Sequence, residues 1–163
     1  MGLPGSDSDT PQSPSRAFKP LLALACILAI AAHASPSQGA SPQQDYVLYC
    51  MGCHGTQAEG VPGKVPPLAH ALGSYMRTPA GRNYVLRIPG AANSVLTDAQ
   101  LAAVLNWLAQ TFDGAELTQS NAPLFTATEV TALRHSPLPS VLATRREVVH
   151  DLAASGHAPP ASY

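Results

Sequence analysis

The chain has 163 residues with a formal net charge of −1, set by nine basic and ten acidic side chains. That balance excludes a nucleic-acid footprint and leaves no single-sign field to steer a charged partner. Sixteen prolines and twelve glycines, gathered at the N-terminus, around 60–67, near 136–139 and at the C-terminal end, limit the compact part to about a hundred residues, one small domain with extensions.

In chain order, a Pro/Ser/Asp-rich leader precedes Arg16 and Lys19. An unbroken apolar run from Leu21 to Ala32 follows, and then Ala32-His33-Ala34. A basic region, an apolar core and a small-x-small site predict an export signal over residues 1–34, cleaved before Ser35. The run is too short to cross roughly 30 Å of hydrocarbon as a helix. A lipoprotein reading of Cys26 is weaker, because the apolar run continues well past it. Residues 35–43 have linker composition.

Residues 44–54 have the spacing of a short amphipathic helix, and the Gly/Pro-rich segment 55–67 is a loop. Leu68 to Met76 predicts a short helix, Thr78-Pro79-Ala80-Gly81 a turn, and Arg82 to Ile88 a helical piece stopped by Pro89-Gly90. The firmest helix is 98–112. Thr97 and Gln100 form a capping box ahead of it. Leu101, Val104, Leu105, Leu108 and Phe112 make one apolar stripe, bordered by Trp107, and Asp113-Gly114 ends the helix. These pieces predict a domain over 44–113 and a C-terminal extension over 114–163. The extension carries two short helices, one opened by Thr126 and Glu129 and one over 140–154, and a disordered last nine residues. Strand signals are weak, so the predicted fold class is all-α.

The chemistry lies in Cys50-Met51-Gly52-Cys53-His54, a Cys-x-x-Cys-His motif. Two thiols three positions apart on a helical turn reach the two vinyl groups of a haem, and His54 falls beneath the iron as its ligand. A thioredoxin-type redox pair would want a βαβ pattern, and a zinc site would want further ligands nearby. No other cysteine follows the predicted signal.

With this motif at the end of a short first helix, Pro66-Pro67-Leu68 after it, and Ala102-Ala103-Val104-Leu105-Asn106-Trp107-Leu108 in the last helix of the domain, residues 43–113 resemble the small class I cytochromes c. The resemblance implies one covalent haem c held by Cys50 and Cys53, with His54 as the proximal iron ligand. It implies that the Pro66 carbonyl accepts a hydrogen bond from His54. It also implies a methionine on the far side of the iron, from the loop ahead of the last helix. That loop, residues 87–96, has none. Met76 is one candidate for the distal ligand, His70 a second, and an open position the third. Arg77, Arg82, Arg87, Tyr84 and Trp107 are candidates to bind the haem propionates, Arg82 foremost. His135, His150 and His157 read as surface residues.

The expected function is single-electron transfer in the periplasm, from a dehydrogenase to another cytochrome or an oxidase. The chain is then a carrier, or the cytochrome subunit of an oxidoreductase, and not itself an enzyme. It meets the membrane only if the signal is retained. A gas-binding or sensing haem protein is the alternative.

Overall fold

The computed structural model describes residues 1–2 and 39–159. The chain divides into two compact units, Met1–Gly39 and Ala40–Tyr163. The export-signal reading, with Arg16, Lys19, Cys26 and the Ala32-His33-Ala34 site, lies outside the described residues.

The described residues are helical, with one isolated bridge, Val61 to Val65, and no named strand among them. None of their helices is long and apolar enough to cross a membrane. The fold is all-α, as the sequence predicts.

Helix α1 (Pro42–Tyr49) starts at a capping box between Ser41 and Gln44, with proline at its first position, where a missing N–H costs nothing. The helix predicted over 44–54 is not continuous. It breaks at Cys50 (φ −122°, ψ −40°), and α2 (Met51–His54) restarts from there. The loop after α2 folds back through the Val61–Val65 bridge, and the Leu68 and Ala69 N–H groups both donate to the Ala58 carbonyl.

Helix α3 (Leu72–Met76) is buried at every position, and α4 (Pro79–Arg87) begins at Thr78, whose hydroxyl accepts from the Gly81 N–H. Gly81 lies so close to the Tyr75 carbonyl that a Cβ there would collide with it. This close approach sets α3 against α4 and brings the Tyr75 and Tyr84 rings to 5.4 Å. Pro89-Gly90 does not simply stop the chain; it opens a one-turn helix, α5 (Pro89–Ala92).

Helix α6 (Asp98–Phe112) matches its predicted span, and both hydrogen bonds of the Thr97–Gln100 box are made. Leu101, Val104, Leu105 and Leu108 are buried, while Phe112 is only half-buried. Helix α1 packs on α6. Tyr46 meets Trp107 at 5.6 Å between ring centroids, and Gln100 Nε2 donates to the buried Asp45 at 3.2 Å.

The extension has three helices, not two. The unexpected one, α7 (Gly114–Ser120), follows because Asp113 ends α6 and at once begins the next helix. It buries only Leu117, so it left no apolar period to read. Helices α8 (Ala127–Leu133) and α9 (Val141–Ala154) start at the Thr126 and Ser140 caps. Thr126 accepts from the Glu129 N–H, but the Glu129 carboxylate turns to Arg82 and does not close the box. Leu117, Phe125, Val130, Val148 and Leu152 enter the core of residues 40–159. The boundary drawn at 113 is therefore not a boundary of packing. Within the segment predicted as disordered, Pro159 is buried.

Candidate functional site

A cleft runs between the α1–α2 junction, the loop at Pro66–Leu68, helices α3 and α4, and the stripe of α6. It leaves about 1070 Å³ free of protein atoms, part of it continuous with solvent. Leu68, Leu72, Val85, Ile88, Leu101 and Leu105 make most of its wall apolar. Cys50, Cys53 and His54 stand together on its rim.

The break at Cys50 is what places them. The Cys53 and His54 N–H groups both donate to the Cys50 carbonyl, at 3.1 and 3.0 Å, so one tight turn carries both sulfurs and the imidazole. Both cysteines are free thiols; Cys50 is half-buried and Cys53 exposed. Burial pushes the Cys50 thiol upward, helped by the Asp45 carboxylate and Cys53.

His54 Nδ1 lies 3.0 Å from the Pro66 carbonyl oxygen. A carbonyl only accepts, so Nδ1 carries the proton and Nε2 keeps its lone pair, the form a metal ligand needs. Burial holds the imidazole below the ordinary histidine value, and the Pro66 carbonyl opposes that more weakly. Gly60 (φ +69°) supports the arrangement. A Cβ at Gly60 would lie 2.8 Å from the Pro66 carbonyl oxygen, so glycine is what lets the loop close beneath the ring. The Tyr46 hydroxyl donates to the Gly55 carbonyl at 2.5 Å and ties α1 to the same loop.

These residues fit a covalently attached haem. Two thiols, a neutral imidazole with a fixed tautomer and an apolar cleft meet in one place. No strand accompanies the Cys-x-x-Cys pair among the described residues, so the thioredoxin-like alternative lacks its scaffold.

The far wall departs from expectation. Met76 is fully buried in α3 but does not line the cleft, so the distal assignment to Met76 is not supported by its position. The reason is helical phase: Ala71, Leu72 and Tyr75 take the cleft-facing side of that turn. His70 is exposed, packs edge-on to Phe112 at 6.2 Å and does not line the cleft either. Where the family's loop would carry a methionine, the wall is made by Gly90, Ala91 and Ser94.

Arg82 needs the same correction. Its guanidinium bonds the Glu129 carboxylate, at 2.7 and 2.5 Å, and the Pro123 and Leu124 carbonyls, and it covers the Phe125 ring at 4.3 Å. Arg77 pairs with Glu116 at 2.9 Å. Arg87 bonds Asn83 and the Ser136 and Pro137 carbonyls. All three hold the extension to the helices and none lines the cleft. Trp107 is on Tyr46, away from the cleft, whereas Tyr84 does line it.

Sequence reasoning missed Arg145, Tyr75 and Arg134. Arg145, from α9, lines the cleft and hydrogen-bonds Tyr75, whose phenol burial pushes upward against that guanidinium. Arg134, the C-cap of α8, is buried and donates to the Leu96 and Ser94 carbonyls at 2.9 and 2.6 Å and to Asp98 at 2.8 Å, which pins the loop ahead of α6. None of the three positions has a local signature in the sequence.

No family model matches the chain. Two relatives from Thermus thermophilus, both named cytochrome c-552, are 32% identical to it over 119 residues. The alignments take in 61% of this chain and 90% and 80% of the relatives.

Proposed function

The chain belongs to the c-type cytochromes, with one covalently bound haem c, and we propose that it carries single electrons outside the cytoplasm, between a dehydrogenase and a further cytochrome or an oxidase. The observation that carries this reading is His54. Its tautomer is fixed by Pro66, and it stands with two free thiols at the mouth of an apolar cleft. When bound there, the haem supplies an iron that takes up and releases one electron.

The protein's own residues serve that exchange. Cys50 and Cys53 fix the group to the chain, so it is not lost in an open compartment. Pro66 orients the ligand ring and raises its basicity. The apolar wall excludes water, which keeps reorganisation small when the charge on the iron changes. The export segment supports a site of action in the periplasm, where thioethers of this kind are formed.

The test is a mass and visible spectrum of the full chain, made with haem-attachment machinery. The expected result is a covalent adduct of one haem and a reversible one-electron titration. A colourless protein of unmodified mass would overturn the reading. Cys50→Ser with Cys53→Ser should abolish the adduct while leaving polypeptide synthesis intact.

A second reading is favoured by the far wall. Neither Met76 nor His70 lines the cleft, which supports an open sixth iron position and binding of a small gas. Rapid carbon monoxide binding by the reduced protein, with a high-spin oxidised spectrum, is the expected result for that reading. A methionine–iron charge-transfer band that disappears in Met76→Ala would restore the carrier with methionine ligation.

A further inference from the structure

An iron held from one side by His54 has its sixth position toward the far wall. A small molecule bound there ends in an atom that accepts a hydrogen bond, and in an apolar cleft a single donor changes how it is held. Gly90, Ala91 and Ser94 make that stretch of wall, and none of them offers an imidazole, thioether, thiolate or phenolate to an iron. A Cβ built on Gly90 meets nothing within 4 Å, so the wall keeps open space where a longer side chain would fill it.

Ser94 is half-buried and brings the one polar side chain of that stretch. Its Oγ accepts the Leu96 N–H at 3.3 Å. A hydroxyl also has a hydrogen to give, and among the described residues the Ser94 O–H has no acceptor. The place of this hydroxyl is fixed from the C-terminal extension. The guanidinium of the buried Arg134 gathers three carbonyls of the loop, Ser94 at 2.6 Å, Leu96 at 2.9 Å and Ala91 at 3.4 Å. Asp98 holds the same guanidinium at 2.8 Å. The Ser94 N–H closes the turn on the Ala91 carbonyl at 3.2 Å. A loop gathered at three carbonyls by one buried cation presents its hydroxyl in one place, so the donor need not be reorganised when a ligand arrives.

We propose that the Ser94 O–H donates a hydrogen bond to an uncharged diatomic ligand on the sixth position, and that Arg134 positions it by holding the loop. This rests on the open-site reading above and names the residue that recognises the ligand. The small neighbours Gly90 and Ala91 leave room for two atoms, and a neutral donor suits a ligand without charge. Arg134 acts through the loop carbonyls and does not line the cleft.

The test uses the full-length protein, with its covalent haem confirmed by mass, reduced under carbon monoxide. The readout is the C–O stretch in the infrared. A donor on the outer oxygen draws electron density into the ligand and lowers its stretch. Ser94→Ala should therefore move the band to higher frequency, and Ser94→Thr, which keeps a hydroxyl, should leave it near the wild type. Arg134→Met frees the loop and should broaden the band. In heavy water the wild-type band should shift, a comparison that needs no variant and serves if Ser94→Ala folds poorly. A band at the wild-type frequency in Ser94→Ala would overturn the proposal; where that variant does not fold, so would a wild-type band unmoved by heavy water. A sharp band at the wild-type frequency in Arg134→Met would overturn the positioning role. A wild-type protein that binds no carbon monoxide is a separate result, seen before any variant is made. It would remove the open-site reading together with this one and leave the haem and the carrier standing.

Discussion

The two walls of the cleft are built on different length scales. On the His54 side, the Tyr46 hydroxyl reaches Gly55 across nine residues and His54 reaches Pro66 across twelve. On the opposite side, Arg134 reaches Leu96 across 38 residues, Arg82 reaches Glu129 across 47 and Arg87 reaches Pro137 across 50. A wall made of near neighbours is specified by local motif and turn chemistry. A wall made across such spans exists only when the whole domain has closed, because the entropy of bringing its parts together is offset only by the finished packing. The extension is the second wall's foundation, and the cleft is asymmetric in how it can be broken.

The largest break is removal of that foundation. Ending the chain at Asp113 deletes five core residues, Leu117, Phe125, Val130, Val148 and Leu152. At about 2 kcal/mol for each buried side chain the loss is on the order of 10 kcal/mol, comparable to the entire stability of a small domain. The truncated chain should yield little folded haem protein by circular dichroism and absorbance. Wild-type yield and melting temperature would mean that the near wall stands alone.

A smaller break leaves the extension in place and cuts one staple. Arg134 is buried and donates to two loop carbonyls and to Asp98. Arg134→Met fills much of the same volume but leaves those carbonyls without donors, at a cost of about 2–4 kcal/mol. Denaturant titration measures the loss, and hydrogen exchange should show residues 91–96 loosening first. Arg82→Met should cost less, about 1 kcal/mol, because its ion pair with Glu129 is partly exposed and screened. Equal losses at the two positions would contradict the assignment of the deeper role to Arg134.

The same division explains what could be read in the sequence. The 98–112 helix and its capping box rest on patterns within about fifteen residues, and the structure has both; the Pro66 acceptor comes from the family resemblance, and His54 Nδ1 lies within hydrogen-bond reach of that carbonyl. Arg77, which caps the end of α3, and Arg82 and Arg87 of α4 are legible as cations near the last helix but not as partners of the tail. Nothing within a few positions of Arg82 announces Glu129, and Glu129 itself reads as the third residue of a capping box. Met76 is a candidate ligand by residue type alone, and residue type carries no information about helical phase. In a five-residue helix buried all round, that phase is set by tertiary packing.

The near wall has its own weak point. Gly60 combines a positive φ with close approach to the Pro66 carbonyl that holds His54. Gly60→Ala should cost about 2 kcal/mol through backbone strain and displace that carbonyl. With the Nδ1–H bond weakened, His54 becomes a poorer donor to iron, so the midpoint potential should rise. An unmoved or lowered potential would show that the Pro66 carbonyl does not act on the iron through His54.

The smallest effect tests the joint between the walls. Asp113, at the end of α6, accepts the Gly73 N–H at 3.1 Å and so caps α3, which has no side-chain cap of its own. Burial raises its carboxyl above the ordinary value of 3.8, with the Gly73 N–H and His70 opposing and Glu116 adding to the rise. The folded state therefore holds this proton more tightly than the unfolded chain. Its contribution is fully present below the ordinary value and is lost as pH rises through the higher folded value, so it makes stability fall with rising pH. Asp113→Asn keeps an oxygen for the Gly73 N–H and removes the charge. That variant should lose this part of the pH slope and match or exceed the wild type near neutral pH. Asp113→Ala removes the cap and should cost about 1 kcal/mol. Melting curves from pH about 4 to about 7 separate the cases. If Asn and Ala behave alike, the carboxyl is not holding α3, and the joint lies instead in the Arg77–Glu116 pair.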